Sequence, residues 1–167
     1  MHFNSPEDPL SFEELWQGAG IPKTLAQNWT NGRPLRLQPY LSRGEGKGSR
    51  NVYAVVDAYV LAFLFLLKSK GLSTNALFTL VSLLNKDKYH RLHSLMSESG
   101  WATLTVGGDQ LSIGPLPKGF KAKNQQKLPD LDDSESAMMQ VFVNTKTLRT
   151  DVDHRLESVA SAKREHA

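Results

Sequence analysis

Cysteine is absent from the chain. That excludes disulfide staples, thiolate metal sites and thiol redox sensing, and it leaves the compartment open. Long apolar runs are missing too. The longest, residues 58–67, falls well short of the roughly 20 residues needed to span a bilayer. The first residues, Met1-His2-Phe3-Asn4-Ser5-Pro6-Glu7-Asp8-Pro9, carry neither the basic nor the apolar part of a secretory signal. A soluble cytoplasmic protein with no membrane partner is the expectation. No phosphate-loop motif of the G-x-x-x-x-G-K type occurs, and no long apolar strand precedes the glycine-rich segment. Asp130, Asp132 and Asp133 lack the glycine and terminal glutamate of a calcium loop, and read as a solvated acidic linker. His90 and His93 are one turn apart on a predicted helix, but without cysteine or a matching carboxylate they read as surface histidines. No Ser-His-Asp arrangement can be ordered. The expectation is therefore no enzyme, no cofactor and no metal.

What is present is ordinary globular composition, 40% hydrophobic and 22% charged over 167 residues. That length fits one domain, or one domain with an appendage. The net charge is only +3, but it is unevenly placed. Residues 21–91 hold eleven basic side chains against three acidic ones, Glu45, Asp57 and Asp87. The acid sits on the flanks, at Glu7, Asp8, Glu13 and Glu14, and again at Asp130, Asp132, Asp133 and Glu135. A basic middle on a nearly balanced chain is the layout of a local polyanion-binding surface, and equally of a solvated basic face.

Along the chain, prolines 6 and 9 oppose helix in the first ten residues, which read as irregular. Ser11-Phe12-Glu13-Glu14 fits a capping box, with Phe12, Leu15 and Trp16 on one helical face. Gly18 and Gly20 end that helix, Gly20 as a left-handed turn residue. Pro22 suits the first turn of a second helix. There Leu25 and Trp29 face the core, while Lys23, Thr24, Gln27 and Asn28 face outward. Two short helices joined by a tight glycine turn make a helix-turn-helix, and the exposed residue types are those that bond phosphates and base edges.

A turn at Asn31-Gly32-Arg33-Pro34 follows. Leu35-Arg36-Leu37 reads as a short strand and Asn51-Val52-Tyr53 as its return. Between them Arg43, Lys47 and Arg50 are spaced by glycines, which let a backbone approach phosphates closely. This is the pattern of a basic wing. The alternative is a glycine linker with incidental charge. Residues 55–70 predict a buried central helix, apolar nearly all round. Asp57 at its start and Lys68 and Lys70 at its end suit the helix dipole. Ser73 or Thr74 caps the next helix, whose stripe is Leu77, Leu80, Val81 and Leu84. A helical pattern continues through Leu92, Leu95 and Met96 to Gly100. Beyond it, residues 101–106 and 111–113 alternate around a Gly107-Gly108-Asp109-Gln110 turn. Residues 115–136 read as a polar connection, and 138–143 as a third strand. Asn144 or Thr145 caps a last helix with the stripe Leu148, Val152, Leu156 and Val159.

Thr24-Leu25, the aromatic Trp29, Pro39, a glycine-basic segment ending in Arg50 and Tyr53, Asp57, and Leu67-Lys68 followed by Gly71-Leu72-Ser73 stand in an order that resembles the MerR family of bacterial transcriptional regulators. The likeness covers about residues 10–85. It implies a winged helix-turn-helix over residues 10–85; the remaining residues read as a helical connection over 86–100 and a small α+β effector or dimerisation region over 101–160, giving a mainly α chain with small β content. It also implies sequence-specific binding of double-stranded DNA, and a homodimer is the expectation for a DNA binder. The contact residues would be Lys23, Thr24, Gln27, Asn28, Arg33, Arg36, Arg43, Lys47, Arg50 and Tyr53. Ala26 departs from the family, which usually has arginine there. The segment between Trp29 and Tyr53 is longer, and the family's long dimerisation helix has no clear counterpart. An excisionase-like architectural factor and a protein-interaction adaptor are the other two readings.

Overall fold

The structure, a computed structural model, describes residues 5–31, 35–41, 51–86, 89–90, 92, 94, 100–107, 110–115 and 138–165. Among the described residues the chain is mainly helical with two small antiparallel sheets. In order these are β1 (Pro9–Leu10), α1 (Phe12–Ala19), α2 (Lys23–Asn31), β2 (Tyr53–Ala54), α3 (Val55–Ser69), α4 (Thr74–Lys86), β3 (Ala102–Gly107), β4 (Gln110–Pro115), β5 (Met138–Val143) and α5 (Thr145–Glu165). Among the described residues no helix is long and apolar enough to cross a membrane.

Local signals set several boundaries. Ser11 caps α1 through its hydroxyl, which accepts from the Glu14 N–H at 3.3 Å, while Glu14 Oε2 accepts from the Ser11 N–H at 2.8 Å. Gly20 ends the helix at φ +68°, a left-handed conformation open to glycine. The Ser73 hydroxyl caps α4 by accepting the Ala76 N–H at 3.2 Å. Asn144 caps α5, its Oδ1 accepting the Thr147 N–H at 3.0 Å. The hairpin joins β3 to β4, with Gly107 opposite Gln110, and β5 pairs on the other edge of β3, giving the order β4-β3-β5.

Two features differ from the sequence reading. Residues 35–39 belong to no helix or strand among the described residues, and β2 pairs with β1 instead, Leu10 opposite Tyr53 and Pro9 opposite Ala54. The lead-in expected to be irregular thus supplies a strand. The proline at position 9 tolerates this because a two-residue edge pair asks for few of its hydrogen bonds. Gly18 also lies inside α1 rather than ending it. A Cβ there would stand 2.4 Å from Leu156 Cδ2, so glycine at this position lets α5 pack closely on α1.

One apolar cluster forms the core. It contains most of α3, from Val55 to Leu67, the inner faces of α1, α2 and α4, and Ala102, Leu104, Val143, Val152 and Leu156 from the C-terminal half. α5 therefore shares its apolar stripe with the first helices. Thr145, Val152, Leu156 and Ala160 are its buried residues, while Leu148 and Val159 are half-buried. Polar contacts join the same elements. Arg155 Nη1 donates to the carbonyls of Gly18 and Ala19, both at 3.4 Å. Lys163 pairs with Glu14 at 3.1 Å. The Tyr59 hydroxyl donates to Asp153 Oδ1 at 2.5 Å.

Candidate nucleic-acid interface

The seat of α2 is built first. The Gly20 N–H bonds the Gln17 carbonyl at 3.0 Å and the Ile21 N–H bonds Trp16 at 3.2 Å, which closes the turn between α1 and α2. Ala26, Trp29 and Thr30 are buried. The Thr30 hydroxyl donates to the Ala26 carbonyl at 2.9 Å and needs no other partner. Ala26 is fully enclosed, so the larger side chain that the family resemblance leads one to expect there has no room in this packing. Lys68 Nζ lies 5.7 Å from the centre of the Trp29 ring, a cation–π contact that holds α3 against the back of α2. The Leu37 N–H then bonds the Trp29 carbonyl at 2.8 Å and ends the helix.

With that side buried, Lys23, Thr24, Gln27 and Asn28 are all exposed. Their spacing of one and four residues makes a single stripe along the helix. Asn31 extends it by one more turn and is also exposed. Sequence reasoning placed Asn31 in the following turn, although the four-residue step from Gln27 would have found it. No carboxylate occurs between Glu14 and Glu45, so the stripe lies on an acid-free stretch of chain.

The segment after α2 is pinned by its backbone. Asn85 of α4 works at both edges of its amide: Oδ1 accepts the Gln38 N–H at 3.1 Å, and Nδ2 donates to the Arg36 carbonyl at 3.1 Å. The Tyr89 hydroxyl donates to the Gln38 carbonyl. Arg36 is thereby held in position with its side chain exposed. Next along, Tyr40 stacks on Tyr89 at 6.5 Å and meets His90 edge-on at 6.3 Å. The Tyr40 hydroxyl bonds Glu7 at 3.0 Å, and that bond, with burial, raises its pKa.

Asp57 joins the two sides of this region. Its Oδ2 accepts the Ala54 N–H at 2.8 Å and the Tyr40 N–H at 3.1 Å, and its Oδ1 stands 3.2 Å from the same Tyr40 nitrogen. It is wholly buried. Burial pushes its carboxyl up to about 7, against the two backbone N–H bonds that pull it down. Read from sequence as a helix-dipole residue, Asp57 also bonds two chain segments, at Tyr40 and Ala54. Asn51 adds a second tie, its Nδ2 donating to the Tyr53 hydroxyl at 3.1 Å and lying 3.4 Å from Asn31 Oδ1.

The structure thus brings together Lys23, Thr24, Gln27 and Asn28, with Arg36 following on the clamped segment. Tyr53 is apart from them: it is buried, its ring 6.1 Å from Phe12 and its hydroxyl engaged by Asn51. Its position makes it part of the support behind the exposed stripe rather than a contact on it. Arg33, Arg43, Lys47 and Arg50 lie outside the described residues, as do His93 and the acidic residues Asp130, Asp132 and Asp133. The chain matches no protein-family model and no curated protein.

Proposed function

We propose that the chain is a winged helix-turn-helix regulator of transcription that binds double-stranded DNA in a sequence-specific way, as a homodimer in the cytoplasm. The observation that carries this reading is the face of α2. Lys23, Thr24, Gln27 and Asn28 share one exposed, acid-free stripe, and the opposite side is fixed in the core by Ala26 and Trp29. A helix held by its back and lined in front with amide, hydroxyl and ammonium groups fits the major groove. Gln27 and Asn28 carry the donor–acceptor pair that matches adenine, and Lys23 reaches phosphate or guanine. Arg33, Arg36, Arg43, Lys47 and Arg50 supply the phosphate contacts that give affinity without sequence information.

The test is selection of bound fragments from a random duplex library, followed by titration of the selected site against salt. Binding is expected to weaken steeply as salt rises, because each neutralised phosphate releases counterion. Arg50→Glu weakens binding to every duplex and lowers the salt slope by roughly one contact. Gln27→Ala or Asn28→Ala relaxes sequence preference at one position. Binding that ignores salt, or a library that yields no preferred sequence, overturns the reading.

A further inference from the structure

A cleft beside the α1–α2 turn has no part in the DNA reading. It has a volume of about 390 Å³, within the size range of small-molecule sites. Ala19 and Gly20 form one side, α3 a second and the junction of β5 with α5 a third. Its apolar lining includes Phe65, Leu66 and Leu148, all packed against the core yet only half-buried. Its charged lining is Asp151 and Arg155, one turn apart on α5.

These two charges are of opposite sign and correct spacing, but among the described residues no ion pair joins them. The neighbouring pair on the same helix, Arg149 and Asp153, does close, at 3.5 Å. Arg155 meets only the carbonyls of Gly18 and Ala19 among the described residues, both at the long distance of 3.4 Å. A guanidinium has five N–H donors, so most of its capacity is left over. Asp151 is exposed and has no hydrogen bond or ion pair among the described residues. An anchor for an anion and an anchor for a cation therefore stand side by side next to an apolar wall.

We propose that this cleft binds a free α-amino acid with a bulky apolar side chain. Arg155 holds the carboxylate, Asp151 holds the ammonium, and the side chain lies against Phe65, Leu66 and Leu148. The pairing selects for a zwitterion. A simple acid meets Asp151 as a like charge, and a simple amine meets Arg155 in the same way. The proposal does not rest on DNA binding, and its test contains no DNA.

The full chain is titrated with L-leucine and L-phenylalanine by calorimetry, with the thermal midpoint followed in parallel. Saturable binding and a raised midpoint are expected for both, with glycine and glutamate bound more weakly. N-acetyl-leucine and leucine methyl ester each lack one charge, and each is expected to bind at least about tenfold more weakly, the effect of losing one charge-assisted contact. Asp151→Asn makes the same loss while keeping the fold, as its exposed side chain makes no hydrogen bond or ion pair among the described residues. Three results overturn the proposal: no saturable binding of leucine or phenylalanine up to about 10 mM, weaker than the millimolar end of the affinity scale; equal binding of the two blocked derivatives; or unchanged binding by Asp151→Asn in a protein with the parent's circular dichroism.

Discussion

Replacing Asp57 by alanine tests the centre of the arrangement. The carboxylate receives the Ala54 N–H at 2.8 Å and the Tyr40 N–H at 3.1 Å in a wholly enclosed position. Alanine leaves both donors without an acceptor. Each unsatisfied buried donor costs about 1–3 kcal/mol, so the sum for two is about 2–6 kcal/mol. The pH dependence gives a second handle. Burial raises the folded carboxyl from its ordinary 3.8 to about 7. The folded state therefore binds this proton more tightly than the unfolded chain. The stability that protonated Asp57 contributes is fully present below about pH 4 and is lost as pH rises through 7. Alanine has no such titration. The difference between parent and variant should therefore be larger at pH 5 than at pH 8 by about 3 kcal/mol, at about 1.4 kcal/mol per unit. Urea unfolding at several pH values measures it, and taking the difference cancels the other titrating groups. A loss below about 1 kcal/mol at pH 5, smaller than one buried donor costs, would refute the reasoning. So would a loss that grows with pH.

Gly18→Ala is expected to lower the thermal midpoint, because its Cβ would lie 2.4 Å from Leu156 Cδ2. Overpacking of about 1–3 kcal/mol is partly offset by about 1 kcal/mol of helix propensity. Adding Leu156→Ala should relieve the clash, so the double variant loses less than the sum of the singles. Tyr53→Phe is expected to leave DNA affinity unchanged at fixed salt, since its hydroxyl is engaged by Asn51. Its stability falls by about 1 kcal/mol at most, the net worth of one hydrogen bond; paired binding and unfolding titrations read both effects.

Much of the N-terminal architecture was legible because its signals are local. A capping box needs only Ser11 and Glu14, a left-handed stop needs only Gly20, and the apolar run of α3 announces its own burial. The outward face of α2 follows from helical spacing once Trp29 is assigned inward. The β1–β2 pair was not legible. Two residues show no alternation, and the chain offered a longer partner in residues 35–37. Asp57 was seen at the helix start, but its bond to Tyr40 depends on a tertiary approach that no local pattern encodes.

Gly18 shows where a further signal lay unread. One glycine suffices to end a helix in the left-handed conformation, and Gly20 does so. A second glycine two residues earlier then costs about 1 kcal/mol of helix propensity without a local return. Such a residue asks for a packing reason, and Leu156 is that reason. The partner lies 138 positions away, so sequence could raise the question but not answer it. α5 touches α1 at both ends, with Lys163 on the Glu14 of the capping box and Arg155 on the carbonyls that precede the α1–α2 turn. The pose of α2 is thereby set from the C-terminal helix as well as from α3. Any event that moves Arg155 acts on the turn that leads into α2, without touching the exposed stripe itself.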